Sequence, residues 1–268
     1  MTGWAGMSLF QIIGLSLAVV LAYMTAIWLV SLALRNASIV DAFWGLGFVL
    51  LAAVYFVATD GVIGRKILIT SLVAVWGLRL SLYILWRNWG QGEDYRYRAF
   101  REKAGEKFWW VSFFQVFLLQ GVLLWLISAP ILAAQFYDSP DELVVTDILG
   151  PLVWGVGFFF ESVGDWQLAR FKADPTNKGK VMQSGLWRYT RHPNYFGDTT
   201  VWWGYFVIAA GTVDGLWTVF SPMLMTVLLM RVSGVALLER AQVRTKPQYR
   251  AYIESTSAFL PWFPRRQR

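Results

Sequence analysis

Side chains that can take part in catalysis or ligand binding are concentrated in one stretch of fourteen residues, GLWRYTRHPNYFGD, from Gly185 to Asp198. It contains the single histidine of the chain, His192, together with two arginines, the amide of Asn194 and the carboxylate of Asp198. Long apolar segments lie on both sides of it. Because a polar cluster close to lipid is costly unless something polar binds there, we expect the functional site at this stretch.

A proline and a histidine inside the stretch indicate what it binds. Proline favours the first turn of a helix, so Pro193 predicts that a helix begins here. The free backbone N–H groups at a helix start attract anions. We therefore interpret His192 as an anion or ribose contact, with a capping or structural role as the alternative. A single histidine and no cysteine leave zinc without its usual ligands, so we expect no metal.

The segment just before this stretch, residues 170–180, carries four cations interleaved with asparagine, glycine and proline. Lysine acts as a point charge toward phosphate groups. We therefore interpret Lys172, Lys178 and Lys180 as phosphate-binding candidates, with Asn177 beside them. The alternative is an ordinary basic loop on the cytosolic side of a membrane.

Two carboxylates precede that loop on one predicted helix. Glu161 and Asp165 lie one turn apart on a single face, which Leu168 and Lys172 continue. Two acids so placed repel each other and weaken an isolated helix unless sugar hydroxyls or cations relieve the repulsion. A ribose contact is the hypothesis, and ion pairs with Lys172 or Arg170 are the alternative.

The elements that must position these residues are membrane helices. Of the 268 residues, 56% are hydrophobic and only 15% are charged, and residues 1–34 and 108–137 carry no charged side chain. A soluble domain cannot hide that much apolar surface. We therefore expect an all-α integral membrane protein in which residues 1–268 form one membrane-embedded domain. Seven spans are predicted, at 8–34, 40–59, 66–86, 110–136, 147–168, 196–212 and 215–238.

The distribution of basic residues predicts an orientation for these spans. Residues 87–109, 169–197 and 239–268 fall on one side and hold nearly all of the lysine and arginine. The positive-inside rule places that side in the cytosol and the N-terminus outside. The net charge of +7 then needs no nucleic acid to explain it, because anionic lipid or a phosphate-rich cytosolic ligand is a sufficient partner.

Several motifs resemble one protein family. The run 185–198, preceded by matching residues within 165–172 and 177–180, is similar to the C-terminal region of the steroid 5-alpha-reductase family. The second-helix motif VDAFWG at 40–45 and the loop GEDYRYR at 92–98 resemble its bacterial branch, known as domain of unknown function 1295. The resemblance spans most of the chain, and the run 185–198 is its most specific part.

The resemblance implies a seven-helix reductase of a bacterial inner membrane that uses NADPH to saturate the 4,5 double bond of a 3-oxo-4-ene steroid or similar lipophilic enone. The substrate would enter from the bilayer, and the site would face the cytosol. Family cofactor contacts carry over to Asp165, Leu168, Lys172, Lys180, Asn194, Asp198 and, on the third helix, Arg79. The other candidate cofactor-binding residues are Glu161, Asn177, Lys178, Tyr189, His192, Tyr195, Glu239 and Arg240. Cations near Lys178 and Lys180 would suit the 2′-phosphate that distinguishes NADPH from NADH.

The resemblance also implies two catalytic candidates. The family's glutamine–glutamate pair on the second helix corresponds to Val40 and Asp41, and its third-helix tyrosine falls near Trp76, with Tyr83 two turns further on. An acid that stays protonated in an apolar cavity can donate to a developing enolate oxygen, and we assign that role to Asp41. The alternative is that Asp41 caps the second helix.

Two other functions fit the same sequence. An isoprenylcysteine-type membrane methyltransferase has a similar motif but uses S-adenosylmethionine, which carries no phosphate, so the lysines of 172–180 favour the reductase. A non-enzymatic protein could use its basic loops to hold anionic lipid head groups. No G-x-G-x-x-G run is present, which excludes a soluble Rossmann domain as the cofactor site.

Overall fold

A computed structural model describes residues 6–232 and 234–265, and every regular element among them is helical. We number the α-helices in chain order. They are α1 (Leu9–Leu34), α2 (Ile39–Ala58), α3 (Ile63–Asn88), α4 (Tyr95–Ala104), α5 (Phe108–Ser112), α6 (Leu119–Ile127), α7 (Ala129–Phe136), α8 (Thr146–Ala173), α9 (Pro193–Ala209), α10 (Phe220–Val227), α11 (Val235–Thr245) and α12 (Tyr249–Ser255). Short 3-10 or π-helical turns join several of them, so α4 to α7 form one helical stretch from Tyr95 to Phe136.

Five of these helical segments are long and apolar enough to cross a membrane, within the part of the chain that the structure describes. They are Leu9–Leu34, Ile39–Ala58, Ile63–Asn88, Tyr95–Phe136 and Gly215–Val232. The protein is therefore a multi-pass, all-helical membrane protein. The spans expected at 147–168 and 196–212 are present as helices α8 and α9. Neither belongs to the five, since α8 carries several charges and α9 has 17 residues.

The last expected span differs from the structure. The sequence predicted one helix over 215–238, but the helical segment that begins at Gly215 ends at Val232. Its final turn, Leu228–Val232, is π-helical, and α11 begins separately at Val235. Arg231 lies in that π-helical turn, where the regular hydrogen-bond ladder is already broken.

The chain divides into two compact units. The first unit comprises Met1–Val144 and Ala209–Thr218, and the second comprises Val145–Ile208 and Val219–Arg268. A single domain over residues 1–268 stays a prediction. Asp41, Arg79 and Tyr83 belong to the first unit, and every other candidate site residue belongs to the second.

Two glycines set the packing of α2 against α3 in the first unit. A methyl group added at Gly45 would lie 2.4 Å from the carbonyl oxygen of Gly77, and one added at Gly77 would lie 2.6 Å from that of Gly45. The helix backbones therefore touch at this point, a contact that only glycine permits. One turn away, the buried rings of Phe48 and Trp76 pack together with centroids 5.7 Å apart.

A similar seam joins α8 to α9 in the second unit. A methyl group at Gly197 would lie 2.3 Å from the backbone nitrogen of Glu161, and one at Gly157 would lie 2.5 Å from that of Val201. Gly204 and the backbone around Trp154 continue the contact. The close approach of these two helices brings the acidic face of α8 beside the start of α9.

Candidate functional site

The start of α9 is the centre of the candidate site in the second unit. The helix begins at Pro193, which confirms the position predicted from the sequence. The side-chain nitrogen Nδ2 of Asn194 donates a hydrogen bond to Oδ1 of Asp165 at 3.1 Å. Asp165 is only 5% exposed. An amide on the first turn of α9 therefore holds a buried carboxylate of α8, and the two residues that the resemblance pairs with the cofactor are in direct contact.

Glu161 lies one turn before Asp165 on α8 and is 2% exposed. Its backbone nitrogen is the atom that a side chain at Gly197 would strike first, at 2.3 Å. The glycine seam therefore fixes how far Glu161 stands from α9. Arg170, further along the same helix, places its guanidinium over the ring of Trp166, 5.6 Å from the centroid.

A second buried polar cluster lies immediately before α9. Nε of Arg191 donates to Oε1 of Glu239 at 2.7 Å, and Nε2 of His192 lies 3.1 Å from the same oxygen. The rings of His192 and Tyr195 stack with centroids 5.5 Å apart. Burial alone would raise the pKa of the Glu239 carboxyl, but hydrogen bonds from His192 and Arg191 outweigh it and lower that pKa below its usual range. Glu239 is therefore held as an anion between two donors.

Arg191 has a structural role that the sequence did not reveal. Its Nη1 donates to the carbonyl oxygens of Ile253, at 3.1 Å, and Thr256. Its backbone nitrogen donates to the carbonyl oxygen of Ser257 at 2.9 Å. These partners and Glu239 occupy most of its donors, so Arg191 ties the motif to the C-terminal segment.

The C-terminal segment packs on the motif through further polar contacts. The hydroxyl of Tyr252 donates to the carbonyl oxygen of Trp187, and the indole nitrogen of Trp187 donates to the carbonyl oxygen of Gly164 on α8 at 3.0 Å. Burial raises the pKa of the Tyr252 phenol well above its usual range, which keeps it a donor. The tail therefore supports the α8–α9 crossing.

The basic loop before the motif is exposed but anchored. Asp174 accepts hydrogen bonds from Thr176, at 2.9 Å from its backbone nitrogen and 2.7 Å from its hydroxyl. Nδ2 of Asn177 donates to the carbonyl oxygen of Phe171 at 3.1 Å. Nζ of Lys246 in the tail donates to the carbonyl oxygen of Lys180 at 2.9 Å. The loop therefore has a defined backbone from which lysine side chains extend into solvent.

The remaining candidates of the second unit lie around these clusters with different exposures. Leu168 and Asp198 are partly exposed, whereas Lys172, Lys178, Lys180, Tyr189 and Arg240 are exposed. An exposed basic loop beside buried carboxylates combines donors for phosphate groups with acceptors for hydroxyl groups.

Asp41 in the first unit lies in a polar cluster at the start of α2. Its Oδ2 accepts from Nη2 of Arg96 at 2.7 Å, and its Oδ1 accepts from the hydroxyl of Tyr97 at 2.6 Å. Nε2 of Gln120 in turn donates to the Tyr97 hydroxyl at 3.2 Å. Both carboxylate oxygens of Asp41 therefore already accept from a protein donor, and its role as a proton donor stays a prediction.

This cluster joins two motifs that are far apart in the sequence. Asp41 belongs to the motif at 40–45, and Arg96 and Tyr97 belong to the loop at 92–98. Oδ1 of Asp94 also accepts from Nε of Arg96 at 2.9 Å. The two motifs therefore form one ion-pair network at the start of α2.

Tyr83 on α3 is the other catalytic candidate. Its ring lies close to two guanidinium groups, with Arg79 at 5.2 Å and Arg87 at 5.7 Å from the centroid. The ring of Trp86 lies 6.0 Å away. Both guanidinium groups make cation–π contacts with this ring, and Tyr83 keeps partial exposure.

Comparisons with known proteins identify relatives of the chain. An uncharacterized protein of Schizosaccharomyces pombe is 24% identical to it, over 93% of this chain and 79% of the yeast protein. No solved structure matches the chain. The model of the family described as "Protein of unknown function (DUF1295)", which is associated with steroid 5-alpha-reductase-like proteins, matches residues 27–256. Because that match covers most of the chain, the protein belongs to the DUF1295 family.

Proposed function

We propose that the protein is a membrane reductase that uses NADPH to saturate the 4,5 carbon–carbon double bond of a 3-oxo-4-ene steroid or a similar lipophilic enone. The observation that carries the proposal is the 3.1 Å hydrogen bond from Asn194 to Asp165. It unites a buried acid and an amide that the family resemblance assigns to the cofactor, at a helix start that favours anions.

The residues of the second unit have the chemistry that a phosphorylated dinucleotide requires. Carboxylates such as Asp165 and Glu161 accept hydrogen bonds from ribose hydroxyls. The exposed ammonium groups of Lys178 and Lys180 suit phosphates, including the 2′-phosphate of NADPH. His192 is held against Glu239, so its ring is fixed beside the start of α9.

NADPH, when bound, supplies the hydride that adds to the carbon β to the ketone, and a proton from solvent at the neighbouring carbon completes the saturated ketone and NADP⁺. We assign to the hydroxyl of Tyr83 the hydrogen bond that stabilises negative charge on the carbonyl oxygen. Asp41, which accepts from Arg96 and Tyr97, is the second candidate for the group that assists at the carbonyl.

The membrane organisation that accompanies this function has seven spans. In it, α8 and α9 cross the bilayer in addition to the five apolar segments, with the N-terminus outside, the C-terminus in the cytosol and the site facing the cytosol. The excess of lysine and arginine in the loops 87–109 and 169–197 supports this orientation. A bacterial inner membrane is the location that the family branch favours.

The test is turnover of a defined enone by the purified full chain. We expect progesterone, a 4-en-3-one, to be reduced with one NADPH consumed per product. With NADPH deuterated at the transferred position of its nicotinamide ring, mass spectrometry should find one deuterium on the β carbon of the product. Absence of reduction with progesterone and with other lipophilic enones would contradict the proposal.

The same purified protein can be used to distinguish the reductase from the competing methyltransferase. Thermal unfolding is measured with NADPH and with S-adenosylmethionine, because a ligand that binds only the folded state raises the melting temperature. Stabilisation by S-adenosylmethionine alone would support the methyltransferase. Stabilisation by neither cofactor would favour a lipid-binding protein without enzymatic activity.

A further inference from the structure

A cavity of about 460 Å³ lies at the end of α1, wholly within the first unit. Ser31 and Arg35 line it from the end of α1, and Arg101 lines it from α4. Phe108 and Ser112 complete the wall from α5. None of these residues belongs to the candidate cofactor site, so the cavity has no role in the function proposed above.

The cavity carries an excess of positive charge. Arg101 is paired with Glu93, because its Nε and Nη2 donate to the two carboxylate oxygens at 2.9 and 2.8 Å. Its guanidinium also lies 4.2 Å from the centroid of the Phe108 ring. Arg35 is exposed, and its side chain has no hydrogen bond or ion pair with any residue in 6–232 or 234–265. One paired and one unpaired arginine thus face the same space.

The backbone at Arg35 is also unusual. Arg35 ends α1 with φ 52° and ψ 37°, and it is the one residue other than glycine with positive φ in the described ranges. Glycine is the residue that favours this conformation at a helix end. An arginine at this position therefore costs conformational energy that a glycine would not, and strained residues of this kind are frequent at binding sites.

The polar wall has acceptors as well as donors. The hydroxyls of Ser31 and Ser112 donate to the carbonyl oxygens of Trp28 and Trp109 at 2.7 and 3.0 Å. Each serine oxygen is then oriented as an acceptor, so it can receive a hydrogen bond from a hydroxyl group of a ligand.

The cavity lies where an apolar surface meets a polar one. It is at the end of an apolar span, and Leu34 and Trp109 beside it are 61% and 57% exposed. Tryptophan favours the boundary between hydrocarbon and head groups. A ligand here would therefore be amphipathic, with an anionic head and an apolar chain.

We propose that this cavity binds the head group of an anionic phospholipid that carries hydroxyls, of which phosphatidylglycerol is the probe. Arg35 and Nη1 of Arg101 contact the phosphate. Ser31 and Ser112 accept from the glycerol hydroxyls, and the acyl chains follow the exposed side chain of Leu34. The site is separate from the cofactor residues, so its test does not depend on catalysis.

The experiment is native mass spectrometry of the full chain in detergent, titrated with dioleoyl phosphatidylglycerol or dioleoyl phosphatidylcholine. We expect the protein to prefer phosphatidylglycerol, and Arg35→Gly to weaken its binding about fivefold, the effect of one basic residue near a membrane surface. Arg35→Gly also removes the positive-φ strain, so the variant should fold at least as well as the parent. Lys103→Ala is the matched control, because Lys103 is an exposed cation of α4 outside the cavity.

Three outcomes would overturn the proposal. The first is equal binding of the two lipids by the unmodified protein. The second is an unchanged preference for phosphatidylglycerol in Arg35→Gly. The third is complete displacement of bound lipid by millimolar inorganic phosphate, which would identify the ligand as a soluble phosphate instead of a lipid.

Discussion

Replacing Asn194 by alanine is the most informative perturbation of the second unit. The substitution removes the donor that holds Oδ1 of Asp165 at 3.1 Å. Asp165 is only 5% exposed, so water cannot replace that donor freely. Loss of a hydrogen bond to a buried charged group costs about 2 kcal/mol. For a chain of this size we expect the melting temperature to fall by about 4–8 °C.

The same contact should also affect cofactor binding. If Asp165 is oriented by Asn194 to hold the ribose of NADPH, a loss of about 2 kcal/mol raises the Kd of NADPH about 30-fold. Asn194→Asp should be worse than Asn194→Ala, because it places a second carboxylate against the first. Asn88→Ala is the control, since the side chain of Asn88 contacts only its neighbour Arg87 among the hydrogen bonds described.

Two measurements on the same samples separate stability from binding. Thermal unfolding in detergent gives the stability change, and isothermal titration with NADPH gives the Kd. A variant Asn194→Ala that loses stability but binds NADPH with unchanged affinity would show that the Asn194–Asp165 contact is structural. That result would remove the start of α9 from the cofactor site.

Three further predictions concern single residues. Gly197→Ala should lower the yield of folded protein in size-exclusion chromatography, because its methyl group would lie 2.3 Å from a backbone nitrogen of α8. Gly155→Ala is the control and should leave the yield unchanged, because a methyl group there has nothing within 4 Å. The lowered pKa of Glu239 stabilises the folded state at pH values above 4.5, the pKa of this carboxyl in the unfolded chain, and the stabilisation is lost as the pH falls through the pKa of the folded state. Glu239→Gln should therefore reduce the fall of the melting temperature at acid pH. An unchanged fall would contradict the assignment. Tyr83→Phe should lower kcat about 100-fold and leave the KM for NADPH unchanged. Tyr95 is exposed, so the control Tyr95→Phe should change neither constant. Equal kcat values for the two variants would exclude Tyr83 from catalysis.

The helices and their membrane character could be predicted from the sequence because both depend on local patterns. The charge-free segment 1–34 and the segment 40–59, in which Asp41 is the one charged residue, became α1 and α2 at nearly the expected limits. Proline preference placed the start of α9 correctly at Pro193. Family membership was also predictable, because the run 185–198 combines rare residue types at fixed spacing.

The polar pairings could not be predicted, because they join residues that are distant in the sequence. Asp41 meets its partners Arg96 and Tyr97 55 and 56 residues later. Arg191 lies next to His192 in the run 185–198, and its guanidinium is buried against Glu239 and carbonyl groups of the tail. Neither the spacing nor the residue types predict which basic side chain is buried inside the protein.

We propose that the second unit binds NADPH through its lysine loop and the start of α9. Equilibrium titration of the purified full chain with NADPH, NADH and S-adenosylmethionine tests it most directly, with the double variant Lys178→Ala and Lys180→Ala alongside. We predict saturable binding of NADPH, about tenfold tighter than that of NADH because of the 2′-phosphate, with this difference lost in the double variant. Binding of S-adenosylmethionine without binding of NADPH would contradict this proposal.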